Sequence, residues 1–508
     1  MIDNRFISAG AFIAFLIFAS ASVAQWSAQA LSDPVDDGAD CTIAVIIGSA
    51  TPDGRIVMWK NRDVANWHQE FAYYDEYPYN FISVNYPFDE YNDEAYGGVN
   101  DVGFAIINAN ALNFADSVGA VDDDGLIMYH ALQTCGTVED FLAYMDTTAV
   151  FGRSRPAIFG IYDSFGGAGF LEASKYENFW YDANDPLNAP EGFMVRSNYA
   201  YSGSPWSPSL QHRHDKAFEL VENAVLGDSV DPRYMFDVVA RDMTTESVNP
   251  YPLPFDSFYV HTGDTLWNSY RNHTAINREI SSSAFVVKGI IPGENPLLNT
   301  IWAMDGEPIM TPVVPLWVAA GSVPQEIVGH DPDSPICLRA RQLFDYIYWG
   351  YPDPYDDLIN TMKVDDGNGT GVLIAVRNVE EGYYDYVMEQ IESWYQVFPS
   401  PTVMRNLQDS IALHVYQRML EPLPVENLSI QMSGAMVRLT WDPVLRSVFS
   451  DSIEVDGYTI YQGGGYSGGA LGDSLGFTTV TNFQVPLGTL PPSAFYQVRA
   501  YVEEVYEH

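Results

Sequence analysis

Cys41 and Asp63 bracket a short apolar segment, DCTIAVIIGSATPDGRIVMWKNRD, and the residue types at its two ends can do acyl-transfer chemistry. A cysteine that becomes the first residue of a processed chain places its thiol beside its own α-amine. With a pKa of about 7.7–8.0 that amine is a usable general base near neutral pH, so no histidine is required. Asp63 would orient the resulting ammonium and hold the thiolate geometry through a charge-assisted hydrogen bond. Lys60 and Arg62 stand beside it as candidate substrate-binding residues. For this chemistry the Asp40–Cys41 peptide must first be cut, and the expected agent is the same thiol attacking the Asp40 carbonyl.

The elements that must position these groups are legible nearby. Cys41 to Gly48 is a continuous Ile- and Val-rich run, as expected of a strand buried on both faces. Thr51-Pro52-Asp53-Gly54 is a turn, in which Pro presets one backbone angle and Gly accepts a positive one. Arg55 to Lys60 reads as the returning strand. Antiparallel partners bring their distal ends together, which puts Cys41 beside Asn61, Arg62 and Asp63.

The N-terminal segment fits a removable leader. Arg5, an apolar run from Phe6 to Phe18, and the small residues Ser22-Val23-Ala24 predict a signal peptide over 1–24 and a propeptide over 25–40. Asp40 is a poor signal-peptidase site, which favours self-cleavage before Cys41. The leader's apolar run is too short to span a bilayer, and no later segment reaches spanning length. The reading is a secreted, periplasmic or cell-surface protein without an integral membrane segment.

A chain of 508 residues exceeds the usual size of one domain, and 47% hydrophobic with 14% aromatic residues is enough for a large core. Against 67 acidic residues stand 24 basic ones, a net charge of −43 that repels phosphates and argues against nucleic acid and anionic membranes as partners. Solubility in a saline setting explains it, with a cationic substrate or bound calcium as the alternative. If Cys41 is a working thiol, Cys135 and Cys337 are free to pair, and the sequence leaves open whether they do. His212-Arg213-His214 lacks a third ligand and reads as ordinary surface, and DDGNGTG from Asp365 reads as a surface turn without a closing glutamate. No metal or cofactor is expected.

Along the chain, GGVNDVGFAIINANALNF (Gly97 to Phe114) enters another buried strand, residues 126–146 read as two helical pieces divided at Gly136, and Pro156 to Ser174 reads as two strands about Gly166-Gly167. Val387, Ile391, Trp394 and Phe398 recur at helical spacing, as do Leu407, Ile411, Val415 and Met419. The mixture predicts an α+β body to about residue 420. Glu421-Pro422-Leu423-Pro424 reads as a short stiff linker, with alternating strands beyond it.

The first part of the chain resembles the cysteine-type N-terminal nucleophile (Ntn) hydrolases that act on linear amides: choloylglycine hydrolases, penicillin V acylases and isopenicillin N acyltransferase-like peptidases. The resemblance is carried by Cys41-Thr42, by Asp53-Gly54, and by Lys60-Asn61-Arg62-Asp63 at the place of an R-N-x-D cluster. Two further blocks add to it, Gly98-Val99-Asn100-Asp101-Val102-Gly103-Phe104 followed by Asn110, and Arg196-Ser197-Asn198-Tyr199. It implies a four-layer αββα sandwich over 41–420 and hydrolysis of, or acyl transfer from, a linear non-peptide C–N amide of a small N-acyl amide substrate. It implies catalytic roles for Cys41 and Asp63, oxyanion donors from Asn198 and Asn110, and a late arginine matched by Arg278. Lys60 departs from the family's arginine and cannot reproduce its bidentate contact.

Residues 425–508 resemble a fibronectin type III module, which implies attachment at a cell surface or to a polysaccharide. Tyrosines 73, 74, 77, 79, 86 and 91 either line an acyl pocket or form a packed loop. Two other readings stay open, a dipeptidase of the related cysteine family and a non-catalytic secreted scaffold.

Overall fold

Strand β1 (Asp40–Ile46) pairs antiparallel with β2 (Val57–Asp63), from Asp40 opposite Asp63 to Ile46 opposite Val57. This is the hairpin that the apolar runs demand. Its connection is closed by the Thr51 hydroxyl, within reach of the Gly48 and Arg55 carbonyls, and by Gly54 at φ 77°, where a side chain would be strained. The second strand begins later than its sequence indicates and runs on through Asn61, Arg62 and Asp63. It is paired on both sides, with β1 and with β14 (Ser281–Lys288), and ladder bonds from both neighbours hold these polar residues in extended backbone.

The computed structural model describes residues 40–87, 93–114, 124–205, 208–261, 264–329, 333–349, 358–463, 473–486 and 495–502. Residues 1–39, where the signal peptide and all but the last residue of the propeptide are expected, lie outside the described residues.

Two large sheets organise the body. One has the order β10-β1-β2-β14-β15-β16, and the other runs β3 to β9 in sequence. The second is built from β3 (Glu70–Tyr74), β4 (Phe81–Asn85), β5 (Gly97–Asn100), β6 (Ala105–Asn110), β7 (Ala157–Tyr162), β8 (Ala168–Ala173) and β9 (Asn178–Asp182). β10 (Phe193–Arg196), β15 (Thr300–Met304) and β16 (Val314–Leu316) complete the first, and β11 (Phe258–His261), β12 (Asp264–Trp267), β13 (Ser269–Arg271), β17 (Tyr348–Trp349) and β18 (Leu358–Asn360) form small ribbons. β1 packs across β6, β7 and β8, so the sheets meet face to face over a core holding Ile43, Val45, Ile107, Ala109, Phe170 and Phe285.

Helices α1 (Asp124–Thr134) and α2 (Val138–Phe151) pack beside the seven-stranded sheet through a separate cluster around Phe104, Ile106, Leu132, Phe141 and Phe159. The break at Gly136 is enforced by a capping box, in which Thr137 and Asp140 satisfy each other's backbone N–H. α3 (Pro208–Leu226) packs on β1 and β10, and α7 (Pro401–Leu420) on β16. Between them in sequence lie α4 (Pro335–Ile347), α5 (Val372–Glu381) and α6 (Tyr384–Gln396).

Past residue 424, β19 (Ser429–Ser433), β20 (Met436–Thr440) and β23 (Asn482–Pro486) form one three-stranded sheet, and β22 (Asp473–Thr478), β21 (Gly457–Gly463) and β24 (Phe495–Tyr501) another. They share a core of Leu439, Trp441, Tyr458, Ile460 and Val498.

Beyond the stiff linker read at 421–424, the chain returns to pack on the body. Arg339 of α4 is buried with both amino groups on Asp451, each at 2.7 Å, and its Nε donates to the Met419 carbonyl. Phe449 is fully buried in the main core. The 445–453 turn is therefore built into the body. A buried guanidinium needs a buried carboxylate, and the sequence offers no local sign of which one.

Candidate active site

Cys41 is the second residue of β1, opposite Arg62, and is almost wholly buried. Its backbone N–H donates to Asn198 Oδ1 at 2.9 Å. Asn198 follows β10, the outer neighbour of β1, so the strand order of the sheet brings the two together. The same oxygen accepts from Arg213 Nη2 at 3.2 Å.

Arg213 joins Asn198 to Asp63. Its Nη1 donates to Asp63 Oδ2 at 3.2 Å, Arg278 Nε donates to that oxygen at 3.0 Å, and the Ser281 hydroxyl donates to Oδ1 at 2.7 Å. Asp63 is fully buried, and Arg278 is fixed further by Nη1 on the His273 carbonyl. A register shift between Ser281 and Ser283 in the pairing of β14 with β2 accompanies this: Ser281 meets Asp63, while the Ser282 hydroxyl donates to the Arg62 carbonyl. One buried carboxylate thus meets two guanidinium groups, with the Asn198 oxygen taking part of the excess positive charge.

Opposed residues of an antiparallel pair share a face, so Cys41, Ile43, Lys60 and Arg62 point one way and Asn61 and Asp63 the other. Lys60 Nζ donates to the Tyr96 carbonyl at 2.6 Å and to Asn108 Oδ1, and Asn108 Nδ2 donates in turn to Asp124. Arg62 Nε donates to Gln69 Oε1 at 2.9 Å, and its guanidinium lies 3.9 Å from the centroid of Tyr96 and 4.7 Å from that of Tyr86.

Burial pushes the Cys41 thiol above its ordinary value, opposed by the Lys60 and Arg62 cations and by a hydrogen bond from the Asp63 backbone. Burial also pushes Lys60 down to about 8, against the pull of Cys41 and Asp124.

Cys41, Asp63, Asn198 and Arg278 are therefore joined in one network, with Lys60 and Arg62 on the thiol's own face. Asn110 is buried at the end of β6, and two residues on the Leu112 N–H donates to the Asn198 carbonyl at 3.0 Å, so its segment runs beside Asn198. Asn100 of the glycine-rich block is a structural joint, donating to the Leu132 and Cys135 carbonyls and accepting from the Phe104 N–H. Of the tyrosine-rich stretch, Tyr86 covers Arg62, Tyr74 stacks on Phe81, Tyr77 is exposed, and Tyr91 lies outside the described residues.

Arg213 corrects the reading of His212-Arg213-His214 as ordinary surface. Its guanidinium is buried in the site, and His214 is buried with its ring nitrogens on Tyr201 and Asp215. The available signal was periodic: Arg213 shares a stripe of α3 with Ala217, Val221 and Ala224, all buried. Ser281 and Asn108 carried no comparable signal. Cys135 and Cys337 are both free, and Cys337 donates to the Trp67 carbonyl instead. The turn from Asp365 is closed by Asp366 Oδ1, which accepts from the Asn368 and Thr370 N–H groups.

A cavity of about 180 Å³ opens beyond the end of β2, lined by Val64, Trp67, Ser281, Glu307, Cys337 and Phe344 among others. It lies on the Asp63 side through Ser281, and Cys41 does not line it. Glu307 accepts from Asn277 and Tyr348, and burial pushes it up to about 8.

No protein-family model matches the chain, and no curated protein matches it. Among solved structures, a mutant conjugated bile acid hydrolase from Clostridium perfringens is similar at 12% identity and a TM-score of 0.34, over 55% of this chain and 92% of that one. Penicillin V acylase from Agrobacterium tumefaciens is similar at 12% identity and a TM-score of 0.27, over 55% of this chain and 86% of that one. A thermostable penicillin G acylase from Alcaligenes faecalis is similar at 10% identity and a TM-score of 0.26, over 36% and 49%.

Proposed function

We propose that the chain is an exported, self-activating cysteine amidase that hydrolyses a small linear N-acyl amide, or passes its acyl group to another amine, through Cys41. The observation that carries this reading is the hydrogen bond from the Cys41 N–H to Asn198, with Arg213 tying Asn198 to Asp63. Once the Asp40–Cys41 peptide is cut, that nitrogen becomes the α-amine, already held by a carbonyl oxygen that orients it toward the thiol. Asp63 acts through its two arginines as the anchor of that frame. The oxyanion is assigned to the Asn198 side-chain amide and to Asn110. Lys60 and Arg62 lie at the thiol's face to meet the substrate.

The body is read as an αββα sandwich of the Ntn type and residues 425–508 as a fibronectin type III-like module that attaches the enzyme at a cell surface or to a polysaccharide. Facing sheets, flanking helices and a two-sheet tail support these readings. The test is Cys41→Ala in the full chain, followed by intact mass. The variant should fold and keep residues 25–40, and it should lack amidase activity against N-acyl amides that the wild type hydrolyses. Processing of the variant to a chain that starts at residue 41 would show that another protease is responsible.

A further inference from the structure

We infer that Lys60 is the base that takes the Cys41 thiol proton when the chain cuts itself. The inference rests on the self-activation proposed above. The α-amine that serves later turnover does not exist before the cut, because the Cys41 nitrogen is then an amide whose N–H is donated to Asn198. Another group must accept the proton. Cys41 opposes Arg62 and Ile43 opposes Lys60, which makes Cys41 and Lys60 diagonal neighbours on one face, a separation that a long side chain spans. An ammonium has three donors. Lys60 Nζ donates to the Tyr96 carbonyl and to Asn108 Oδ1, and of the neighbouring groups Cys41 acts on it most strongly.

The other charged groups facing Lys60 are Arg62 on its own strand and Asp124 on α1, relayed through Asn108. Arg62 stays protonated and cannot serve. Asp63 points to the opposite face and is taken by Arg213, Arg278 and Ser281. Burial lowers Lys60 from its ordinary value, which brings its neutral form within reach at mildly alkaline pH.

The step balances within the chain and one water. Neutral Nζ accepts the Sγ proton, and the thiolate forms a bond to the Asp40 carbonyl carbon. The C–N bond then breaks as the ammonium returns the proton to the Cys41 nitrogen. Water hydrolyses the Asp40 thioester, which frees the Asp40 carboxylate and restores the thiol.

The test follows uncut full-length chain, made by in vitro translation, by intact mass after a jump to each pH. Wild-type cutting should accelerate as pH rises toward 8, and a rate that is flat from pH 6 to 9.5 would overturn the inference. Lys60→Arg keeps the charge but cannot lose its proton, and should slow cutting about 100-fold or more, the usual scale of a general base. Lys60→Ala should be slow and be accelerated by added methylamine, a rescue that a purely structural role would not allow. Cutting of folded Lys60→Arg within about threefold of wild type, far short of a general base's usual contribution, would remove Lys60 while Cys41→Ala remained uncut. Loss of residues 25–40 from Cys41→Ala would instead overturn self-activation itself.

Discussion

Replacing Asp63 by Asn keeps the shape of the side chain and removes its charge, and the structure sets the consequence. Asp63 is fully buried and accepts from Arg213, Arg278 and Ser281. The amide's single oxygen can keep the two guanidinium contacts, and Ser281 can turn its hydroxyl to accept from the new NH₂. Geometry is therefore largely retained, while two buried cations lose the charge of Asp63. Breaking a buried pair by removing one partner costs about 3–5 kcal/mol, and the retained hydrogen bonds place this variant near the lower end. Against a typical stability of about 5–15 kcal/mol, Asp63→Asn should fold but unfold at distinctly lower urea. Arg213 also holds Asn198, so the loss should reach the Cys41 N–H and slow both self-cleavage and turnover. Urea unfolding followed by circular dichroism, with intact mass for processing, measures both effects. Adding Arg213→Met to Asp63→Asn should recover part of the stability by removing one of the two cations that Asp63 faces. An Asp63→Asn protein within about 0.5 kcal/mol of wild type, the level of an ordinary surface change, that also processes normally would refute the reasoning.

Asp451→Ala should cost about 3–5 kcal/mol in the same assay, because it leaves Arg339 buried without its partner. A chain ended at Leu420 should be destabilised for that reason too, and Arg339→Met should restore part of the loss in either background. Glu307→Gln should change the pH dependence of stability. Burial raises Glu307 from 4.5 to about 8, so the folded protein holds a proton that the unfolded chain has released between those values. That stabilisation is fully present below pH 4.5 and is lost as pH rises through about 8. Urea midpoints measured from pH 5 to 9 should therefore fall more for wild type than for Glu307→Gln, and parallel curves would remove Glu307 as the cause.

The sequence by itself determined the local geometry. Cys41 and Asp63 lie at one end of a hairpin because two apolar runs joined by a Pro-Asp-Gly turn have one antiparallel pairing that buries both. The strands about Gly166-Gly167 and the helix break at Gly136 were legible for the same reason, since turn and capping chemistry is contained in adjacent residues. The tertiary structure alone decided which distant groups compensate the buried charges. Arg213 reaches Asp63 across 150 residues, Ser281 across 218, and Arg339 reaches Asp451 across 112. Periodicity can say that Arg213 faces inward, because it shares a stripe with Ala217, Val221 and Ala224, but it cannot say what it meets. Hydrophobic burial is non-directional and leaves a period in the chain. A buried ion pair is directional and joins two particular side chains, and its partners come together only when the sheets and helices have packed.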